Sequence, residues 1–247
     1  MIDIHSHILF NVDDGAESAD NSIAILKRAE KNGFTDIILT PHYIEGQYEN
    51  NRAVIKYKMQ KLKELAYREN IEVALHIGNE IFLSENTPYL IQNGVESTLA
   101  NTRYVLFEVP FTSRMVDMEE IVSQLVSLGC IPIIAHPERY LFIQEDPSFL
   151  IRLMKIGAYA QVNYGSFIGM YGKAAKKTVE VLLEKKLIQF AASDTHKKGK
   201  VYDCIDKIIK RMIAITHDVK YVKEITKYNP ERLLNDFDLD VDIPSRM

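Results

Sequence analysis

Apolar, β-branched runs recur seven times along the chain, at 2–7, 35–42, 72–80, 103–109, 131–136, 158–163 and 187–194, and each reads as a strand. Stretches of helical periodicity follow them, the clearest at 18–33, 119–129, 146–157, 172–186 and 202–215. Gly33, Gly129 and Gly157 stand where a helix should stop before the next strand begins. Strict alternation of strand and helix predicts parallel strands joined by helical crossovers. No Gly-x-Gly-x-x-Gly turn follows the first strand, so a closed or nearly closed barrel is favoured over a dinucleotide-binding sheet. A phosphate-binding loop is also excluded, because Gly165, Gly169 and Gly172 have the wrong spacing before Lys173. With no linker and no internal repeat, residues 1–247 are expected to form one domain.

Composition narrows the class without naming it. With 47% hydrophobic and 26% charged residues, 247 residues can build a large core. The first residues read as a polar-bearing strand rather than a leader, and no apolar run approaches the roughly 18 residues of a membrane span. A cytoplasmic location without membrane insertion is therefore expected. The net charge of −4 gives no nucleic-acid footprint. Acidic residues 236–242 and basic residues 56–63 read as a solvated tail and an exposed helix face. Cys130 and Cys204 read as buried small apolar residues rather than a disulfide or a thiolate metal site. Neither opens a C-x5-R phosphatase loop, since His136 and Lys210 occupy the sixth following positions.

The chemistry is carried by polar residues at strand ends, where a (β/α) barrel places its active site. His5 and His7 lie two apart in MIDIHSH, on one face of a short strand. Later ends supply His42, Glu80, Glu108, His136, Asp194 and His196, and the first loop, FNVDDG, adds Asp13 and Asp14. Any one of these has an ordinary explanation: a histidine capping a helix, or Glu108 pairing with an arginine. Their coincidence decides, because five of the seven histidines and four carboxylates fall at equivalent levels. So many ionisable groups in one cleft require compensating cations. Nine candidate side chains exceed the roughly four to six ligands that one ion takes, implying two or three ions. Imidazole and carboxylate without thiolate suit Mn²⁺, Fe or Zn²⁺. Three divalent ions against four carboxylates leave a net +2, with 30 acidic and 30 basic residues elsewhere, so an anionic substrate fits. His76 and His217 are assigned to packing or surface. Arg139 either clamps a phosphate or pairs with Glu138 or a ligand carboxylate. No Ser/His/Asp or Cys/His arrangement competes, so the expected nucleophile is metal-bound hydroxide.

Taken together, M-I-D-I-H-S-H-I-L-F-N-V-D-D-G at the start, T-P-H at 40–42, G-N-E at 78–80, F-E at 107–108, A-H-P-E-R at 135–139 and A-S-D-T-H at 192–196 resemble the PHP (polymerase and histidinol phosphatase) superfamily. Within it they are most similar to the manganese-dependent tyrosine phosphatases of bacterial capsule and exopolysaccharide loci, the CpsB/CapC/YwqE group. The resemblance implies a distorted (β/α)7 TIM-like barrel with three metal ions, Mn²⁺ foremost. It implies hydrolysis of phosphotyrosine on the cognate tyrosine autokinase that regulates polysaccharide synthesis. By position it implies His5, His7, Asp14, His42, Glu80, Glu108, His136, Asp194 and His196 as ligands, with Glu80 bridging two metals and Arg139 on the phosphoryl group. Water held near His42 or His196 would protonate the leaving phenolate. Where relatives often carry an arginine after D-x-H, this chain has Lys197, Lys198 and Lys200, and Lys200 is the expected second phosphate contact. Tyr43, Tyr48, Phe111, Phe167 and Tyr171 are candidates for the substrate entrance. Two other readings stay open: hydrolysis of a small phosphate monoester such as histidinol phosphate, and a non-catalytic module that docks on a kinase.

Overall fold

A computed structural model describes residues 1–241. Ten strands form a mixed α/β fold: β1 (Ile2–Asp3), β2 (Asp36–Leu39), β3 (His42–Ile44), β4 (Tyr48–Glu49), β5 (Ala74–Ile77), β6 (Glu80–Phe82), β7 (Tyr104–Glu108), β8 (Ile131–Ala135), β9 (Tyr159–Asn163) and β10 (Phe190–Ala192). They pair in the orders β1-β2-β5 and β10-β9-β8-β7-β6-β3-β4, and among the described residues only the β3–β4 pair is antiparallel.

Two expected strands are each split. The run 35–42 breaks at Thr40–Pro41, where proline has no N–H to give a ladder. The run 72–80 breaks at Gly78–Asn79, where a Cβ on Gly78 would lie 2.8 Å from Leu99 and 3.0 Å from Ile38. Asn79 repairs both breaks, donating to the Pro41 and Asn50 carbonyls and accepting from the Ser97 N–H. The same two segments then pair again as β3 and β6, with His42 directly beside Glu80. The first run is also shorter than expected, because β1 ends at Asp3 and residues 5–7 instead bond to the last segment. Asp194 N–H donates to the His5 carbonyl and His7 N–H to the Thr195 carbonyl, each at 2.9 Å.

The five expected helices are present at Ala19–Lys31, Met118–Ser127, Ser148–Ile156, Gly172–Glu184 and Ile205–Thr216. Ser18 caps the first by accepting from Asn21 N–H, and Gly157 ends the third at φ 119°. Val105, Phe107, Ile134 and Val162 pack outward into the helical layer. Leu106, Ile133, Ala135, Phe190 and Ala192 point the other way, joining Ile2, Ile4, Ile38 and Tyr104 in a separate inner core.

Two surface expectations change and one holds. The acidic tail exposes its aspartates, but it is anchored rather than free. Arg103 pairs with Asp236 and Asp238, Tyr104 donates to the Phe237 carbonyl at 2.6 Å, and Leu239 is buried in the inner core; Asp242 lies outside the described residues. The reason is that the inner core needs an apolar cover at its N-terminal end, which Leu233 and Leu239 supply. Cys130 and Cys204 are free but only partly buried, at the edge of the core. Basic residues 56–63 lie on a helix spanning Arg52–Arg68 that buries Ile55, Leu62 and Ala66, and Lys56, Lys61 and Lys63 are exposed on it.

Candidate metal centre

The inner face changes character along each strand. Alternation carries Tyr104 and Leu106 to Glu108, Tyr159 to Gln161 and Asn163, and Phe190 and Ala192 to Asp194 just past β10. The face is therefore apolar at the N-terminal ends and polar at the C-terminal ends. β8 and β10 close on residues in the left-handed region, His136 at φ 36° and Asp194 at φ 48°. Such backbone costs on the order of 1–3 kcal/mol per residue and persists where surrounding contacts hold it.

His5, His7, Glu80 and Asp194 form a fully buried floor. The two Nε2 atoms are 3.2 Å apart, and Glu80 Oε2 lies 3.2 Å from His5 and 3.1 Å from His7. Asp194 Oδ1 stands 3.5 Å and 3.6 Å from the same nitrogens. Outer partners fix which atoms carry hydrogen. Asp13 Oδ2 accepts from His7 Nδ1 at 2.7 Å, so the neutral ring turns a lone pair inward from Nε2. For His5 the polarity runs through a chain of three side chains. Asn163 donates to Asp194 at 2.6 Å, Gln161 donates to Asn163 at 3.0 Å, and Gln161 Oε1 accepts from His5 Nδ1 at 2.7 Å. With neutral rings, four acceptor atoms thus face one another with no hydrogen among them. Protonated imidazoles or bound cations relieve that arrangement, and a divalent metal bound by imidazole and carboxylate meets the requirement.

The electrostatics express the same demand. Burial pulls the His5 imidazole down, but Glu80 and Asp194 outweigh it and raise it to about 9. Burial pushes Asp194 up, yet His5 and His136 hold it at about 2. Glu80 is likewise held well below the usual carboxylate range by His5 and His42, against its burial.

Glu80 extends the floor toward a second group with His42 and Glu108. His42 Nδ1 is 3.1 Å from Glu80 Oε2 and 3.1 Å from Glu108 Oε1. His136 Nε2 lies 2.7 Å from Glu80 Oε1 and 4.0 Å from Glu108. His42 Nδ1, His136 Nδ1 and Glu80 Oε2 are buried without a hydrogen-bond partner. A third group joins His7, Asp14, His42 and His196 at the rim, where Asp14 Oδ1 is 3.5 Å from both His42 Nε2 and His196 Nε2. The Asp194 carbonyl accepts from His196 Nδ1 at 3.0 Å, leaving its Nε2 free for that group. Gly15 permits the rim loop, since a Cβ there would fall 2.1 Å from the His7 carbonyl oxygen.

All nine candidate ligands converge, and all but His5 and His7 line a cavity of about 290 Å³ together with Arg139, Tyr48, Phe82 and Phe111. Arg139 pairs with Asp194 Oδ2 at 3.1 Å, so its partner is a ligand carboxylate rather than Glu138. Glu138 is instead wholly buried, accepting from Asn163 N–H and the Ser166 hydroxyl. Lys200 is exposed and is not in the cavity lining. Tyr43 and Phe167 belong to the core, whereas Tyr48 and Phe111 do line the cavity. His76 pairs with Asp36 at 2.9 Å, and His217 is an exposed helix cap. Gln161, Asn163 and Phe82 escape a search for ionisable strand ends. The signal for the first two is the period-two polar pair in the otherwise apolar run AYAQVN.

A parallel-rich α/β fold whose strand ends gather an imidazole–carboxylate cluster beside one guanidinium defines the class: a protein with candidate multinuclear metal chemistry. The chain belongs to the CpsB/CapC family, described as capsular polysaccharide synthesis, which matches residues 1–235. It is 37% identical over 196 residues to the tyrosine-protein phosphatase YwqE of Bacillus subtilis, covering 79% of this chain and 77% of that one. It is 29% identical over 241 residues to the tyrosine-protein phosphatase CpsB of Streptococcus pneumoniae, covering 96% and 99%. A crystal structure from a study of YwqE and CpsB, described as unique metal-dependent tyrosine phosphatases, superposes with a TM-score of 0.94 at 32% identity, covering 100% of this chain and 99% of that one. No helix among the described residues is long and apolar enough to cross a membrane.

Proposed function

We propose that this protein is a metal-dependent phosphoric monoester hydrolase that removes phosphate from tyrosine. Its substrate is a bacterial tyrosine autokinase regulating capsular or exopolysaccharide synthesis, and it acts in the cytoplasm. The chain is a single domain, a distorted (β/α)7 barrel of the PHP type. Continuity of the two sheets through β2–β3 and β5–β6, together with the bonds between residues 5–7 and 193–195, supports closure of that barrel. The observation that carries the activity is the acceptor-only cluster of His5, His7, Glu80 and Asp194 with Arg139 beside it.

His5, His7, Asp14, His42, Glu80, Glu108, His136, Asp194 and His196 hold two to three Mn²⁺ ions, with Glu80 shared between groups. When bound, such ions lower the pKa of a coordinated water and neutralise charge on the phosphoryl oxygens. Arg139 turns a planar donor toward the phosphoryl group, and its paired N–H bonds strengthen as charge builds on the equatorial oxygens. Tyr48, Phe82 and Phe111 offer apolar faces to the phenyl ring. A water near His42 and His196 returns a proton to the leaving phenolate. Lys200 lies outside the lining and adds positive charge for approach only.

Manganese-loaded protein is expected to release phosphate from phosphotyrosine peptides, to stop with a chelator, and to fail as His136→Ala or Arg139→Ala. Preferential turnover of histidinol phosphate in the same assay would replace the protein substrate with a small monoester. Full hydrolysis by both variants would remove the site assignment.

A further inference from the structure

The Arg139 guanidinium lies over two aromatic rings. Its Cζ is 4.4 Å from the centroid of Phe111 and 4.4 Å from that of Tyr171. One of its N–H groups donates to Asp194 Oδ2 at 3.1 Å, so two rings and one carboxylate hold the group. Phe111 is fixed in turn, its carbonyl accepting from Leu141 N–H at 2.9 Å and its ring 5.5 Å from those of His136 and Tyr140. Tyr171 is presented between Gly169 and Gly172, both left-handed at φ 79° and 93°. Space for its ring depends on Gly165, where a Cβ would lie 3.0 Å from Tyr171 Cε2. Phe111 lines the cavity, but Tyr171 does not.

The geometry points to Tyr171, together with Phe111, as a positioning residue that holds Arg139 beside the cluster before an anionic phosphoryl group arrives. The inference rests on the reading of Arg139 as the phosphoryl contact. An arginine side chain loses much rotamer freedom when it binds, and a guanidinium already stacked on two rings has lost it in advance. The ring contacts consume none of the guanidinium N–H donors, which stay able to turn from Asp194 toward phosphate. Tyr171 has no place in the cavity lining; its ring reaches the substrate through Arg139, whereas its hydroxyl bonds Asn163.

The test is a double-mutant cycle on the metal-loaded full chain, with a phosphotyrosine peptide as substrate and inorganic phosphate as the binding probe. Tyr171→Leu is expected to weaken phosphate binding and raise KM by about tenfold, with metal content unchanged and a smaller change in kcat. Tyr171→Phe keeps the ring while removing the hydroxyl's bond to Asn163, and phosphate binding should stay near the wild-type value; a Phe variant as impaired as the Leu variant assigns the effect to the hydroxyl and overturns the ring's role. In an Arg139→Ala background, Tyr171→Leu should add nothing. Phe111→Leu repeats the cycle from the more exposed side if Tyr171→Leu does not fold. Full effects that persist without Arg139, or wild-type phosphate binding in both aromatic variants while Arg139→Ala is impaired, overturn the positioning role alone. Wild-type binding by Arg139→Ala itself overturns the underlying assignment of the arginine.

Discussion

The floor and the rim of the site use the same residue types under opposite conditions. His5, His7, Glu80 and Asp194 are sealed, and the two rings are locked by Gln161 and Asp13. At the rim, the Asp14 side chain is 56% exposed and that of His196 30%. A sealed group cannot exchange its lack of hydrogen for water, whereas an exposed group can. The floor should therefore hold its ion far more tightly than the rim, although ligand identity alone would rank them alike.

That contrast can be broken in graded steps. The largest effect is expected from Glu80→Gln, which removes the charge shared by floor and centre. Turnover should fall by about a thousandfold and metal content should drop on elemental analysis. Gln161→Leu leaves every ligand in place but frees the His5 tautomer, and titration with Mn²⁺ should show a loss of about 10–100-fold in floor affinity. Asp14→Asn should cost less, about tenfold in turnover, with one ion lost on dialysis and the floor ion retained. Equal metal loss from the Gln161 and Asp14 variants would end the distinction between the two levels.

The smallest effect on turnover comes from a carboxyl outside the site. Glu96 is as buried as the floor carboxylates but has no cationic partner, and burial, with Glu45 adding to it, raises it to about 8. Asp194, equally buried, is held at about 2 by its histidines. Because the folded pKa of Glu96 is raised, its stabilising contribution is complete below the unfolded value near 4.5 and is lost as pH rises through about 8. Glu96→Gln should thus leave thermal stability unchanged near pH 4 and raise it above pH 8, by several kcal/mol. An unchanged difference across that range would show that burial does not govern this carboxyl.

Much of the site was legible because its residues obey a positional rule. Strand-end histidines and carboxylates such as His5, Glu108 and Asp194 follow apolar runs that announce where each strand stops. Glu138 shows the limit: beside Arg139 in the chain, it reads as one candidate partner alongside a ligand carboxylate, yet it turns inward to bond Asn163 and Ser166 while Arg139 pairs with Asp194. Adjacent residues leave a short turn in different directions, and a linear reading cannot tell which way.

The sequence by itself determined the alternation of strand and helix, the glycine stops, and the set of ligand types, since local periodicity and side-chain chemistry are properties of the chain alone. Only the tertiary structure decided that two strands break at Pro41 and Gly78, that Gln161 and Asn163 carry the polarity of the floor, and that Tyr171 covers Arg139. These depend on distances between segments far apart in the chain, which are set when the whole sheet packs.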